Sequence, residues 1–119
     1  MIFTILLQLK KIIGYTLLRR AKIKFLKNQK NYLLFDTLII LKKYREQNIA
    51  KKLMKLNNKI IKKEKTFSIL LCEGPMIKFY KNYNWHLINK KLIITKNFKK
   101  NYMLFNRKIK KKFSFVKIS

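Results

Sequence analysis

Acidic residues are nearly missing from this chain: four Asp and Glu stand against 31 Lys and Arg in 119 residues, leaving a formal charge of +27. A paired-carboxylate site would have to bring together two of Asp36, Glu46, Glu64 and Glu73, which lie far apart in the sequence. Glycine occurs only at Gly14 and Gly74, which excludes a Gly-rich phosphate loop and a dinucleotide fingerprint. The single cysteine, Cys72, excludes an internal disulfide and a Cys-cluster zinc site. Cys72 and the only histidine, His86, are the one thiol–imidazole pair available. Cys72 closes an apolar run and reads as a small core residue. His86, beside Trp85, reads as packed or in contact with RNA. Long apolar runs are also scarce. Thr66 to Cys72 is nearly uncharged but far below the roughly 20 residues a membrane span needs, and Leu33 to Leu41 carries Asp36. These absences predict a chain with no catalytic residues, no metal, no cofactor and no small-molecule substrate.

What is present is an unusual pair of properties. Apolar residues make up 49% of the chain, too many for a disordered basic tail. A charge of +27 opposes compaction by self-repulsion. Together they imply a folded body whose charge is neutralised by something else. Its length suits one small domain, 1–119, with a core small enough that a partner would add to its stability. Lys, Asn, Ile, Phe, Tyr and Met fill 74 positions, whereas Gly, Ala, Arg and Pro fill 9. Lys outnumbers Arg 27 to 4, although Arg offers phosphate a bidentate fork that Lys lacks. Codon bias in an AT-rich genome explains this better than chemistry does. The segment Met1 to Leu9 is apolar and then turns basic, the reverse of a secretory signal, so it reads as structure.

Along the chain, Ile2, Ile5, Leu6, Leu9, Ile12, Ile13 and Leu17 recur at helical spacing, with Gly14 as a kink. From 32 to 65 the positions Leu34, Leu38, Leu41, Ile49, Leu53, Leu56 and Ile60 mark one stripe, which predicts a long basic amphipathic helix capped by Asn31 or Asp36. After Lys65, Glu73-Gly74-Pro75 signals a turn. Short runs at Phe67–Cys72, Met76–Tyr80, Trp85–Ile88, Leu92–Thr95, Tyr102–Phe105 and Phe113–Ile118 read as strands. The fold expected is α+β: a helical half over 1–65 with one long helix, then a small antiparallel β-rich half over 66–119.

The candidate functional residues are cations with interleaved aromatics, because lysines neutralise phosphate and rings stack on unpaired bases. The first half supplies Lys10, Lys11, Arg19, Arg20, Lys22, Lys24, Lys42, Lys43, Arg45, Lys51, Lys52, Lys62 and Lys63. The second half supplies Lys99, Lys100, Tyr102, Arg107, Lys108, Lys110, Lys111 and Lys112. No helix-turn-helix, zinc knuckle or zipper accompanies them. Charge spread over a small Lys-rich chain resembles, in type, the ribosomal proteins encoded by AT-rich protist mitochondrial genomes. That resemblance implies a structural ribosomal component bound to ribosomal RNA and neighbouring ribosomal proteins. It also implies a mitochondrial matrix location, with the apicoplast as the alternative. A non-catalytic accessory subunit of a respiratory or ATP-synthase membrane complex is the competing expectation.

Overall fold

The computed structural model describes residues 2–8, 11–45, 48–95 and 99–116. Its dominant feature is a single curled sheet. Strands β1 (Ile2–Gln8), β2 (Lys11–Lys24) and β3 (Gln29–Ile40) come first. Helix α1 (Ile49–Lys63) follows, then β4 (Ser68–Cys72), the short helix α2 (Ile77–Lys81) and β5 (His86–Leu87). Strands β6 (Asn101–Phe105) and β7 (Ser114–Phe115) complete the fold. The strand order is β1-β2-β3-β4-β6-β5, with β7 pairing on β2. All of these pairings are antiparallel except β3 with β4. A parallel pair needs a crossover, and α1 provides it.

This architecture corrects the helical reading of the first half. Residues 2–8 and 11–24 are strands, and the expected helix over 32–65 is a strand, a turn and a separate helix. The physical reason lies in two bulges. Between β2 and β3, Leu17 faces Thr37 and Leu18 faces Phe35, so Asp36 is an extra residue without an opposite number. Between β1 and β2, Leu6 faces Gly14 and Leu7 faces Ile12, which makes Ile13 the extra residue. A bulge breaks period-two alternation and places neighbouring residues inside together. Ile13 and Gly14, consecutive residues at the bulge between β1 and β2, are both buried. The interrupted alternation therefore copies helical three-and-four spacing. Asp36, expected as a helix cap, is the bulge residue and pairs with Arg19 at 2.9 Å.

The second half departs from expectation as well. Met76–Tyr80, read as a strand, forms a turn and α2. Pro75 near the start of that turn supplies a fixed φ suited to entering a helix. Leu92–Thr95 contributes only a bridge from Ile93 to Phe113. Strands 68–72 and 101–105 pair with each other, within the sheet that also holds the first half. Of the expected strand 113–118, residues 117 and 118 lie outside the described residues.

Two cores sandwich the sheet. On one face Leu18, Leu33, Phe35, Leu70, Cys72, Met103 and Phe105 pack with Met54 and Ile61 of α1 and with Trp85. On the other, Ile23, Tyr32, Phe67, Ile69, Tyr102 and Leu104 pack with Ile88, Ile93 and Phe113. The buried stripe of α1 is Ile49, Leu53, Met54, Asn57 and Ile61, while Leu56 is exposed. Fully burying Leu53, Met54 and Ile61 contributes about 1.5–3 kcal/mol each. Asn58 ties α1 to the segment after α2: its amide donates to the Tyr83 carbonyl at 2.8 Å, and its oxygen accepts from Trp85 Nε1 at 3.1 Å. Gly14 lets α1 approach, because a Cβ there would lie 2.9 Å from both the Ile39 carbonyl oxygen and Leu53 Cδ1.

Candidate ligand cleft at the carboxyl end of strand β3

The parallel pairing of β3 with β4 covers only Leu33 with Ser68 and Leu34 with Ile69. Beyond that point β3 runs on to Ile40 and β4 to Cys72 without pairing to each other. The Asp36 bulge falls immediately after the last pair, and a bulged strand bends. β3 therefore leaves β4, and the sheet opens toward the carboxyl ends of its two parallel strands. In α/β sheets this is the place where ligands enter.

The end of β3 is fastened to its surroundings. The Leu41 N–H donates to the Ile13 carbonyl at 2.9 Å, and Arg45 Nε donates to the Ile40 carbonyl at 3.2 Å. The chain then turns through Asn48, at φ 57°, into α1. Asn is one of the few residues with a side chain that accepts this left-handed geometry. No side chain caps α1 at Asn48, and its first turn contains no acid. Among the described residues no side chain therefore caps its leading N–H groups. Lys51 and Lys52 sit in that first turn and are exposed. Cations at the positive end of a helix dipole are unfavourable by a few tenths of a kcal/mol each. A bound anion would reverse that sign and accept from those N–H groups at once.

The other wall is built by β4 and α2. Tyr80 of α2 packs edge-on against Phe35, with ring centroids 6.1 Å apart, and tilts against Trp85 at 6.5 Å. Phe35 is the residue before the bulge. Burial raises the Tyr80 phenol above its ordinary range, and the nearby Cys72 adds to the shift. Burial also raises the Cys72 thiol, with Glu73 contributing and Lys100 opposing. At neutral pH this wall therefore presents a protonated phenol and an un-ionised thiol. Glu73 and Lys100 form an ion pair just outside it.

The sequence-predicted cations are divided by this structure. Lys51 and Lys52 reach the start of α1, with Lys42, Lys43 and Arg45 in the turn leading to it. Arg20, Lys22 and Arg107 line one cavity at the opposite end of the sheet, and Arg107, Lys108, Lys110 and Lys111 line its neighbour. Arg19 is paired with Asp36, Lys100 with Glu73, and Lys62 and Lys63 occupy the last turn of α1. Lys11, Lys24, Lys99 and Lys112 join neither site. Lys10 lies outside the described residues. Tyr102 is no stacking platform: it is buried in β6 and stacked on Phe115 at 5.4 Å. Cys72 and His86 are not neighbours on the sheet, because β6 lies between β4 and β5.

Sequence reasoning missed Asn48, the Asp36 bulge and Tyr80. For Tyr80 the signal was available, since Pro75 announces a helix rather than a strand. For the other two it was not, because a bulge and a left-handed turn are fixed by the pairing of distant strands.

No protein-family model matches the chain, and no curated protein does. Solved structures do match. The chain is similar to Escherichia coli ElaA, with TM-score 0.65, 9% identity, and coverage of 87% of this chain and 67% of that one. It is similar to the Bacillus subtilis N-acetyltransferase YlbP in complex with coenzyme A, with TM-score 0.65, 12% identity, and coverage of 88% and 67%. It is also similar to a tyrosine-to-phenylalanine mutant of the AtaT toxin bound to the C-terminus of the antitoxin AtaR and to acetyl-CoA, with TM-score 0.61, 11% identity, and coverage of 79% and 58%. The chain thus spans 58–67% of the lengths of these three proteins. The finding overturns the resemblance to mitochondrial ribosomal proteins. With it go the structural role in a ribosome, the ribosomal RNA and ribosomal-protein partners, and the accessory-subunit alternative. The expectations of a non-enzyme and of no small-molecule substrate lose their ground too. The chain shares the fold of these solved structures.

Proposed function

We propose that the chain binds an acyl-coenzyme A thioester in the cleft between β3 and β4 and transfers its acyl group to an amine. The observation that carries this reading is the opening of the parallel pair at Asp36, with the start of α1, which the Asn48 side chain does not cap, at its mouth. Two of the similar structures hold coenzyme A or acetyl-CoA. The residues present fit such a ligand. Its pyrophosphate is a compact anion, and the Ile49–Lys51 N–H groups with Lys51 and Lys52 form a compact cationic terminus. Ile39 and Leu41, both substantially exposed at the end of β3, give its apolar arm a surface to lie on.

When bound, the thioester would supply an acyl carbon already activated for attack by an amine. The chain has two tasks there. The first turn of α1 fixes the charged part of the ligand. Tyr80, with its proton held on Oη through neutral pH by burial, stands as a hydrogen-bond donor and proton source beside the cleft. Among the described residues, Glu73 is the carboxylate beside this wall, and Lys100 engages it.

A charge reversal at Lys51 tests this with two readouts of opposite sign. Lys51→Glu places an acid in the first turn of α1, which should stabilise the free protein by about 0.3–1 kcal/mol through the helix dipole. The same change should weaken coenzyme A binding at least about tenfold, because it opposes the pyrophosphate. Calorimetry with coenzyme A and a thermal melt measure the two effects. A wild-type chain that shows no heat and no rise in Tm at about 1 mM coenzyme A would sink the reading. Tyr80→Phe should keep the affinity and lower the release of free thiol from acetyl-CoA by at least about tenfold.

A further inference from the structure

At the other end of β3 the surface has a different character. A cavity of about 860 Å³ is floored by Tyr32, Leu33 and Phe67 and rimmed by five cations, including Arg20, Lys22 and Lys65. A second cavity of about 690 Å³ lies under the β2–β3 turn at Phe25–Asn28 and carries six cations, including Lys108 and Lys110. The remaining two cations of the first cavity, Lys30 and Arg107, also line the second, so the two are parts of one groove. The only acid on its walls is Glu64, which lies 3.8 Å from Arg20. On β3 the groove is lined by residues 30–33, and the cleft opens beyond them at Asp36, about 10 Å further along the strand, so the two are lined by different residues.

We infer that this groove is a docking site for a nucleic-acid strand, held by its phosphodiester backbone. Concavity argues for a strand over a lipid surface, since an interfacial site needs a broad apolar face outward and here the cations line the walls of a track. Contact with the backbone rather than the bases follows from the aromatic groups. Tyr32 and Phe67 are buried and stacked on each other at 5.9 Å. The outer side of Phe67 is covered by the Arg107 guanidinium, 5.1 Å from its ring centre. Phe25, the ring that lines the second cavity, is half-buried and tilts against Phe113 with centroids 6.2 Å apart, so among the described residues each ring of the groove already has an aromatic or cationic neighbour and the site reads mainly charge and shape. The inference stands apart from the acyl-transfer reading, because it uses other residues at the other end of the strand.

The test is fluorescence anisotropy with a labelled single-stranded RNA of mixed sequence, titrated across salt concentrations. Lys30→Gln with Arg107→Gln removes the two cations shared by both cavities. Lys55→Gln with Lys59→Gln removes the same charge from exposed positions on α1 and serves as the control. The groove variant should bind about tenfold more weakly, and the slope of log affinity on log salt should fall in magnitude by about 1.4. The control should change affinity by less than about threefold, and a homopolymer strand should bind the wild type like the mixed one. Equal losses in both variants would overturn the site, since charge alone would then explain binding. So would an absence of RNA binding by the wild type at about 0.1 M salt, or anionic vesicles being bound through Lys30 and Arg107 while RNA is not. If the groove variant melts below the assay temperature, photo-crosslinking of wild-type chain to RNA decides. Crosslinks within 20–32 and 105–111 support the groove, and crosslinks confined to α1 refute it.

Discussion

The two ends of β3 show what one strand can do when its partner pairs with only part of it. At the amino end the sheet is stitched shut. The Leu33 N–H donates to the Phe67 carbonyl at 3.0 Å, and the Ser68 hydroxyl donates to the Leu33 carbonyl. Thr66 Oγ1 donates to the Asn31 carbonyl at 3.4 Å, and Asn106 Nδ2 donates to the Thr66 carbonyl at 2.9 Å, drawing in the end of β6. At the carboxyl end the ladder stops at a bulge and the strands part. The closed end presents a basic surface groove. The open end presents backbone, a helix terminus and a phenol to whatever enters. Polar side chains that hydrogen-bond the backbone keep strands together, and one extra residue is enough to separate them.

Four perturbations would break or sharpen this contrast. The largest effect is expected from Trp85→Ala. Trp85 is fully buried, packs on Phe35 and Phe105, and donates to Asn58, so its loss should cost about 3–5 kcal/mol in a urea melt. A loss under about 1 kcal/mol would mean that the wall behind the cleft is not the packed structure described.

The next concerns the closed end. Burial pushes the Tyr32 phenol up to about 12 from an ordinary 10.0. A raised folded value means that its contribution is complete below the unfolded value and is lost as pH rises through the folded one. Stability should therefore fall by about 2–3 kcal/mol between about pH 10 and pH 12, and Tyr32→Phe should remove most of that fall relative to wild type. Parallel pH-melt curves for the two proteins would contradict the burial assigned to this end.

Gly14→Val is expected to cost about 1–3 kcal/mol, because the new side chain meets the Ile39 carbonyl and Leu53. It should also reduce coenzyme A affinity by displacing the start of α1, while RNA binding at the groove stays within about twofold. Equal damage to both ligands would show that the two ends are not independent. The smallest effect is expected from Asp36→Ala, which removes a half-exposed ion pair with Arg19 worth at most about 1 kcal/mol. The bulge depends on residue count rather than on the carboxylate, so coenzyme A binding should survive. Deleting Asp36 restores pairing parity and should abolish that binding, as calorimetry would show.

Some of the molecule was legible before folding. The apolar run ending at Cys72, the turn at Glu73-Gly74-Pro75, the strand around Tyr102–Phe105, and Ile49 and Leu53 of the buried stripe of α1 all carry local signals. The first half was misread because β3 is central and packed on both faces, so it shows a nearly continuous apolar run in place of alternation. Two bulges then shifted its parity toward helical spacing. The candidate cleft was invisible for the same reason: its residues are Asp36, Asn48 and Tyr80, and what makes them a site is where three separate elements end.

Composition by itself determined that the chain is a polycation with a large apolar fraction and too few glycines for a Gly-rich phosphate loop, since both follow from counting. Only the tertiary structure decided where that charge is concentrated and where the sheet opens. Strand pairing is a relation between residues far apart in sequence, and neither a register shift nor a cleft is a property of any one segment.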